Sequence, residues 1–237
     1  MVRRPQWLRG SLMNVLEDKA IVGRLDTLVQ LIVDAPFNIS GFRTKEALWI
    51  HGIYDAIQTV ERINIEEMST AVDIGSGAGF PGLVLAILVP SVKWVLIEAR
   101  EKRATYLKRM IQVLDLANSS VIGGRAEEVA EVGNNGMRES ADLVTARAVG
   151  SLRVTLELSL PYLKMGGRGC FPKGRNQVQV EMEQAQDLCR LLGGEYQEVS
   201  SPYGEQEDSQ IIVITKVNKT PLEFPRRSKR LGSPVPG

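Results

Sequence analysis

The chain has 237 residues, with 29 Lys and Arg against 28 Asp and Glu, a net charge of +1 and 43 % hydrophobic residues. That length and apolar content suit one α/β domain with an appended element and exclude a fibrous or wholly disordered chain. Two cysteines, Cys170 and Cys189, with no C-x-x-C spacing, and the single His51 exclude a disulfide framework and a structural zinc site.

The opening Met1-Val2-Arg3-Arg4-Pro5 is charged but lacks the apolar stretch of an export signal. Residues 12–33 and 44–63 follow with helical spacing of apolar side chains, separated by the turn-rich loop 35–41. These two helices are expected to form an N-terminal cap spanning 1–65. Within the second, His51 and Asp55 share a face and could hydrogen bond or present a polar pair to a cleft. A structural histidine near the core is the alternative reading.

From residue 66 to 217 strands and helices alternate. Strands are expected at 71–74, 92–97, 120–122, 142–146 and 169–171, with helices at 83–89, 101–116, 127–132, 151–163 and 177–192 between and after them. Two closing strands, 196–200 and 210–217, lie close enough in sequence to pair antiparallel. Strict alternation gives a doubly wound, mostly parallel α/β sheet of seven strands with helices on both faces. The apolar run over 83–97 is broken by Pro90 and Lys93, so no membrane span is expected and the chain reads as cytoplasmic.

The first strand runs into Asp73-Ile74-Gly75-Ser76-Gly77-Ala78-Gly79-Phe80-Pro81-Gly82. Glycines there let a ligand approach bare backbone, and the following helix aims its free amides at the same place. Gly77, Gly79 and Gly82 also match G-x-G-x-x-G, so a nicotinamide dinucleotide has to be weighed. A carboxylate at Asp73 would repel a pyrophosphate, whereas S-adenosyl-L-methionine brings an ammonium and a sulfonium. The cationic ligand fits better.

Ligands of such sheets sit beyond the carboxyl ends of the strands. After the second strand comes Glu98, able to accept from both hydroxyls of a ribose or to answer the dipole of the next helix. After the third comes Arg125-Ala126-Glu127, where a backbone amide beside a carboxylate could read an adenine edge, or the acids could belong to a helix first turn. After the fourth comes Arg147, suited to a ligand carboxylate, a phosphate or a structural ion pair.

From Lys216 onward, six basic residues (Lys216, Lys219, Arg226, Arg227, Lys229 and Arg230) stand against the single acid Glu223, among Pro221, Pro225, Pro234 and Pro236. The prolines oppose a helix in this tail, 218–237, and favour an extended arm suited to a phosphate backbone. A solubilising tail is the alternative.

With these residues in view, the chain resembles the glucose-inhibited division protein B family, bacterial methyltransferases acting on N7 of a guanine in small-subunit (16S) ribosomal RNA. The resemblance runs from about residue 35 to the tail. Its blocks are Asn38-Ile39-Ser40, His51 to Asp55, the Asp73 to Gly82 loop, Lys102-Arg103 with Tyr106-Leu107, Arg125-Ala126-Glu127, Arg147-Ala148, Gly166-Gly167 with Lys173-Gly174, and Phe224-Pro225-Arg226-Arg227. It implies a class I methyltransferase fold, S-adenosyl-L-methionine as cofactor, and 16S ribosomal RNA or the small ribosomal subunit, near the 530 loop, as partner. A monomer without a metal is expected.

By the same resemblance Gly75, Phe80, Ala126, Glu127 and Arg147 match cofactor-contacting positions, joining Asp73, Gly77, Gly79 and Glu98 from the residue reading. His51 and Asp55 match the histidine–aspartate signature of the family and, with Arg147, are the candidate catalytic residues. Val33 and Asp34 stand where the family usually has tryptophan and asparagine, Ala56 where it has serine, and Ser40 where it has threonine. All lie in the cap, so they bear on substrate contacts more than on the cofactor.

Guanine N7 is an exposed lone pair, so its methylation requires positioning and no general base. A covalent cysteine route would require an activated thiolate, which neither Cys170, in a strand, nor Cys189, in a helix, suggests. Two other readings stay open on the residues alone: a methyltransferase acting on a small molecule or protein, and a non-catalytic RNA-binding assembly factor.

Overall fold

The computed structural model describes residues 16–60, 63–131, 136–200 and 209–234. The first turn of the first expected helix and residues 61–62 of the second lie outside them. Helix α1 (Lys19–Val33) starts at Asp18, whose side chain accepts from the Ala20 amide and so caps the first turn. Its stripe of Leu25, Leu28, Val29 and Ile32 is buried. Thr44 caps α2 (Lys45–Leu48) in the same way. The chain then widens into a π-helical turn, Trp49–Tyr54, before α3 (Asp55–Val60). The single helix expected over 44–63 is therefore interrupted in the middle, a distortion that often marks a functional position.

Seven strands form one sheet: β1 (Thr70–Ile74), β2 (Lys93–Glu98), β3 (Ser119–Gly123), β4 (Ala141–Ala146), β5 (Leu163–Gly174), β6 (Gly194–Ser200) and β7 (Ser209–Lys216). Their order is β3-β2-β1-β4-β5-β7-β6, parallel except for β7, which runs antiparallel to both β5 and β6. The helices between them are α4 (Gly82–Leu88), α5 (Glu101–Val113), α6 (Ala126–Val129), α7 (Leu152–Ser159) and α8 (Arg175–Leu191). Strand β5 is much longer than the expected 169–171, since Gly166 and Gly167 in its first half hid its strand character. The helix expected over 151–163 ends early and tightens into a 3-10 turn at Leu160–Tyr162, where Pro161 has no amide to continue the ladder.

The pleat divides the core. Ala71, Trp94, Leu96 and Leu143 pack on the face covered by the N-terminal helices, α4 and α5. Val72, Ile74, Val144 and Ala146 pack on the opposite face, with α7, α8 and Phe224. Since alternate residues share a face, Asp73, Glu98, Thr145 and Arg147 all fall on the cap side. The register places Asp73 opposite Thr145.

The tail departs from the expected extended arm. Phe224 is buried in the core cluster on the α7 and α8 side of the sheet, and Arg226 grips the fully buried Glu157 with Nε–Oε1 and Nη2–Oε2 both at 2.7 Å. Arg138 donates to the carbonyls of Thr220, Pro221 and Phe224. Lys216 is buried as well, its ammonium donating to the Leu160 and Leu192 carbonyls and to Thr220 Oγ1. Two of the six basic residues are thus internal, because the buried carboxylate and the buried carbonyls at the ends of α7 and α8 need donors. Lys219, Arg227, Lys229 and Arg230 remain exposed.

Candidate functional site

The loop after β1 is held at its entry by the Gly75 and Ser76 amides, which donate to the Ile97 carbonyl at the end of β2. Gly75, Gly77 and Gly79 have φ of 67°, 53° and 91°, a region that L side chains rarely enter. The loop closes with Gly79 N–H to the Ser76 carbonyl at 2.7 Å, and the Leu83 amide returns to Gly79. The nearest atoms to a Cβ on Gly77 would be Gly75 O at 3.7 Å and Arg103 Nη1 at 3.9 Å, so no protein atom crowds that position.

Asp73 lies beneath this loop. Its carboxylate is fully buried, accepting from Thr145 Oγ1 at 2.7 Å and from the Gly82 amide at 3.3 Å. A Cβ on Gly82 would come within 2.8 Å of Asp73 Oδ2, so a bare residue is required there. Burial pushes the Asp73 carboxyl up to about 6, against the hydrogen bonds from Thr145, Ser76 and Gly82 that pull it down. The carboxylate expected to face the ligand is taken up instead by these two donors, and so fastens the loop to the start of α4.

Glu98 is 5 % exposed and ties the next element to the loop. Its Oε2 accepts from the Gly77 amide at 2.9 Å and its Oε1 from the Arg100 amide at 2.8 Å. Each carboxylate oxygen keeps a second lone pair. At the end of β3, Ala126 and Glu127 are buried at the start of α6, and Arg125 Nε donates to Glu127 at 2.6 Å. Tyr162 fixes this turn from below by donating to the Ala126 carbonyl at 2.6 Å.

Arg147 and Asp55 meet. Arg147 Nη2 lies 3.1 Å from Asp55 Oδ2, both side chains about one-fifth exposed, so the end of β4 is clasped to the cap. His51 is exposed and stacks on Phe42, ring centroids 4.8 Å apart at 22°. The structure thus gathers Gly75, Gly77, Gly79, Phe80, Glu98, Arg147 and Asp55 around the ends of β1, β2 and β4, with Ala126 and Glu127 beyond the end of β3 and His51 at the cap edge.

Three contributors escaped the sequence reading. Thr145 was legible only from strand order, which puts it opposite Asp73. Gly52 lies so close to the Phe80 ring that a Cβ there would sit 2.5 Å from Cζ. Phe42 gave no signal in a loop. The Lys102 to Tyr106 block fastens the cap to α5: the Lys102 ammonium lies 4.5 Å from the Phe37 ring and Tyr106 donates to the Leu31 carbonyl at 2.6 Å. Lys173 is half-buried, donating to the Gly150 carbonyl at 2.6 Å and pairing with Glu181. Burial pushes the thiols of Cys170 and Cys189 up to about 12, so neither supplies a thiolate. Among the described residues no cluster of His, Cys, Asp and Glu could hold a metal ion, and no helix is long and apolar enough to cross a membrane.

The strand order, the glycine loop after β1 and the carboxylate ending β2 define a class I S-adenosylmethionine-dependent methyltransferase. The fold is shared with a SAM dependent methyltransferase from Aquifex aeolicus, TM-score 0.54 at 15 % identity, covering 81 % of this chain and 98 % of that one. The family model described as rRNA small subunit methyltransferase G matches residues 24–211, and the chain belongs to that family. Ribosomal RNA small subunit methyltransferase G of Chloroflexus aggregans is 37 % identical over 204 residues, covering 85 % of this chain and 83 % of that protein. The protein of the same name from Staphylococcus carnosus is 34 % identical over 232 residues, covering 94 % and 95 %.

Proposed function

We propose that this chain, acting as a monomer, transfers a methyl group from S-adenosylmethionine to N7 of a guanine in 16S ribosomal RNA, in the 530 loop region. The observation that carries the reading is the convergence of the glycine loop, Glu98 and Arg147 on one face of the strand ends, in a chain of this family. When bound, the cofactor supplies an electrophilic methyl whose carbon accepts the N7 lone pair as its bond to sulfur breaks, leaving the purine positively charged.

The residues fit that ligand. The open lone pairs of Glu98 suit ribose hydroxyls, and the buried Ala126–Glu127 turn offers an amide and a carboxylate to an adenine edge. Gly75, Gly77, Gly79 and Phe80 contribute a backbone that a ligand can approach closely. Arg147, aligned by Asp55, suits the carboxylate of the methionine portion. Asp73 acts as a positioning residue under the loop. Since N7 carries no proton at neutral pH, the chain has no proton to move, and its work is to hold the base in line and exclude water.

The test is methyl transfer from labelled S-adenosylmethionine to naked 16S RNA and to small subunits from cells lacking the gene. Digestion should release 7-methylguanosine. Label appearing only in protein or in a small molecule, or no binding of S-adenosylmethionine by calorimetry, would sink the proposal.

A further inference from the structure

We infer that the stacked pair Phe42 and His51 is the shelf on which the target guanine lies, and that His51 acts through its ring face and not as an acid or base. The inference rests on the methyl transfer to guanine proposed above. An RNA base presented to an enzyme leaves its own stack, and proteins compensate by stacking it on aromatic side chains. The pair is already assembled for this, with nearly parallel rings whose centroids are 4.8 Å apart, and His51 exposed.

Its location is the second ground. The π-helical turn that carries His51 also carries Gly52, against which the Phe80 ring of the cofactor loop is seated. In the next turn Asp55 holds Arg147 at the end of β4. His51 is therefore the exposed residue next to Gly52, the seat of Phe80, and one turn before Asp55, the partner of Arg147. Phe42 is not a loose loop residue. Its amide donates to Ser40 Oγ at 3.1 Å, and its ring packs against the core cluster that contains Ile39. The shelf is thus fixed before RNA arrives, and a π surface favours a purine that becomes cationic on methylation.

The experiment compares His51→Ala, His51→Phe and Phe42→Leu in the full chain, with labelled methyl transfer to small-subunit RNA and S-adenosylmethionine binding by calorimetry. Loss of one stacking partner should lower kcat/KM for RNA about five- to hundredfold in His51→Ala. Phe42→Leu should lower it less, and His51→Phe should stay within about threefold of the parent, all with unchanged cofactor affinity. A His51→Phe variant as inactive as His51→Ala would overturn the inference in favour of proton chemistry. Equal loss of cofactor affinity and thermal stability in His51→Ala would overturn it in favour of a structural histidine, as would full activity in that variant. Inactivity of the parent protein on every small-subunit RNA would instead defeat the reading on which the inference rests.

Discussion

Asp73 sets the pH behaviour of the site because its burial favours the neutral form. Its ordinary value of 3.8 rises to about 6 on folding. A carboxyl raised in this way contributes stability below 3.8 that is lost as pH climbs through 6, so the ionised group opposes folding at neutral pH by about 3 kcal/mol. Asp73→Asn should therefore be more stable than the parent at pH 8 in urea titrations. The gap should shrink by about half by pH 5; a gap independent of pH would refute the assignment. At the other side of the loop, charge-assisted contacts from Glu98 and Arg147 are worth about 1.5–3 kcal/mol each. Alanine at either should weaken S-adenosylmethionine binding about ten- to a hundredfold by calorimetry, and unchanged affinity in a folded variant would return both to a purely structural role.

Between elements, the decisive join is that of the π-helical turn with the cofactor loop. With a Cβ placed 2.5 Å from Phe80 Cζ, Gly52→Ala forces either the ring or the turn to move. The ring is the softer partner, so cofactor affinity should fall about tenfold while melting temperature changes by only a few degrees. An unaltered affinity would show that Phe80 is not seated by the cap. This join was illegible in the sequence, because nothing in Trp49–Tyr54 announces a wider helix and the partner lies in a distant loop. Strand pattern, by contrast, was legible to the level of pleat: Trp94, Leu96 and Glu98 share one parity, as do Leu143, Thr145 and Arg147. What the pattern lacked was the strand order. Without it Asp73 could be read as pointing to a ligand, when its in-register neighbour Thr145 accounts for one oxygen and Gly82 for the other. The placement of Cys170 in a strand, of Cys189 in a helix and of Glu98 and Arg147 at strand ends was legible for a simple reason: chain position decides it.

For the molecule as a whole the C-terminal segment is part of the fold and not only a basic arm, because composition records its charges but not the acids that meet them. Among the described residues Glu157 accepts hydrogen bonds from Arg226 N, Nε and Nη2 and from Gly232 N, all beyond β7. Truncation after Val217 would strand that buried carboxylate, a loss of about 3–5 kcal/mol, and would open the core where Phe224 sits. At about 2–4 °C per kcal/mol the melting temperature should fall by roughly 6–20 °C. Arg226→Ala alone should reproduce much of the drop. The cations Arg227, Lys229 and Arg230 behave differently, since their side chains are exposed. Replacing these three with Gln should leave the melting temperature within about 2 °C and flatten the dependence of RNA affinity on salt. A truncated chain as stable as the parent would restore the tail to a detached arm, and a salt slope untouched by the triple replacement would remove it from the RNA-binding surface.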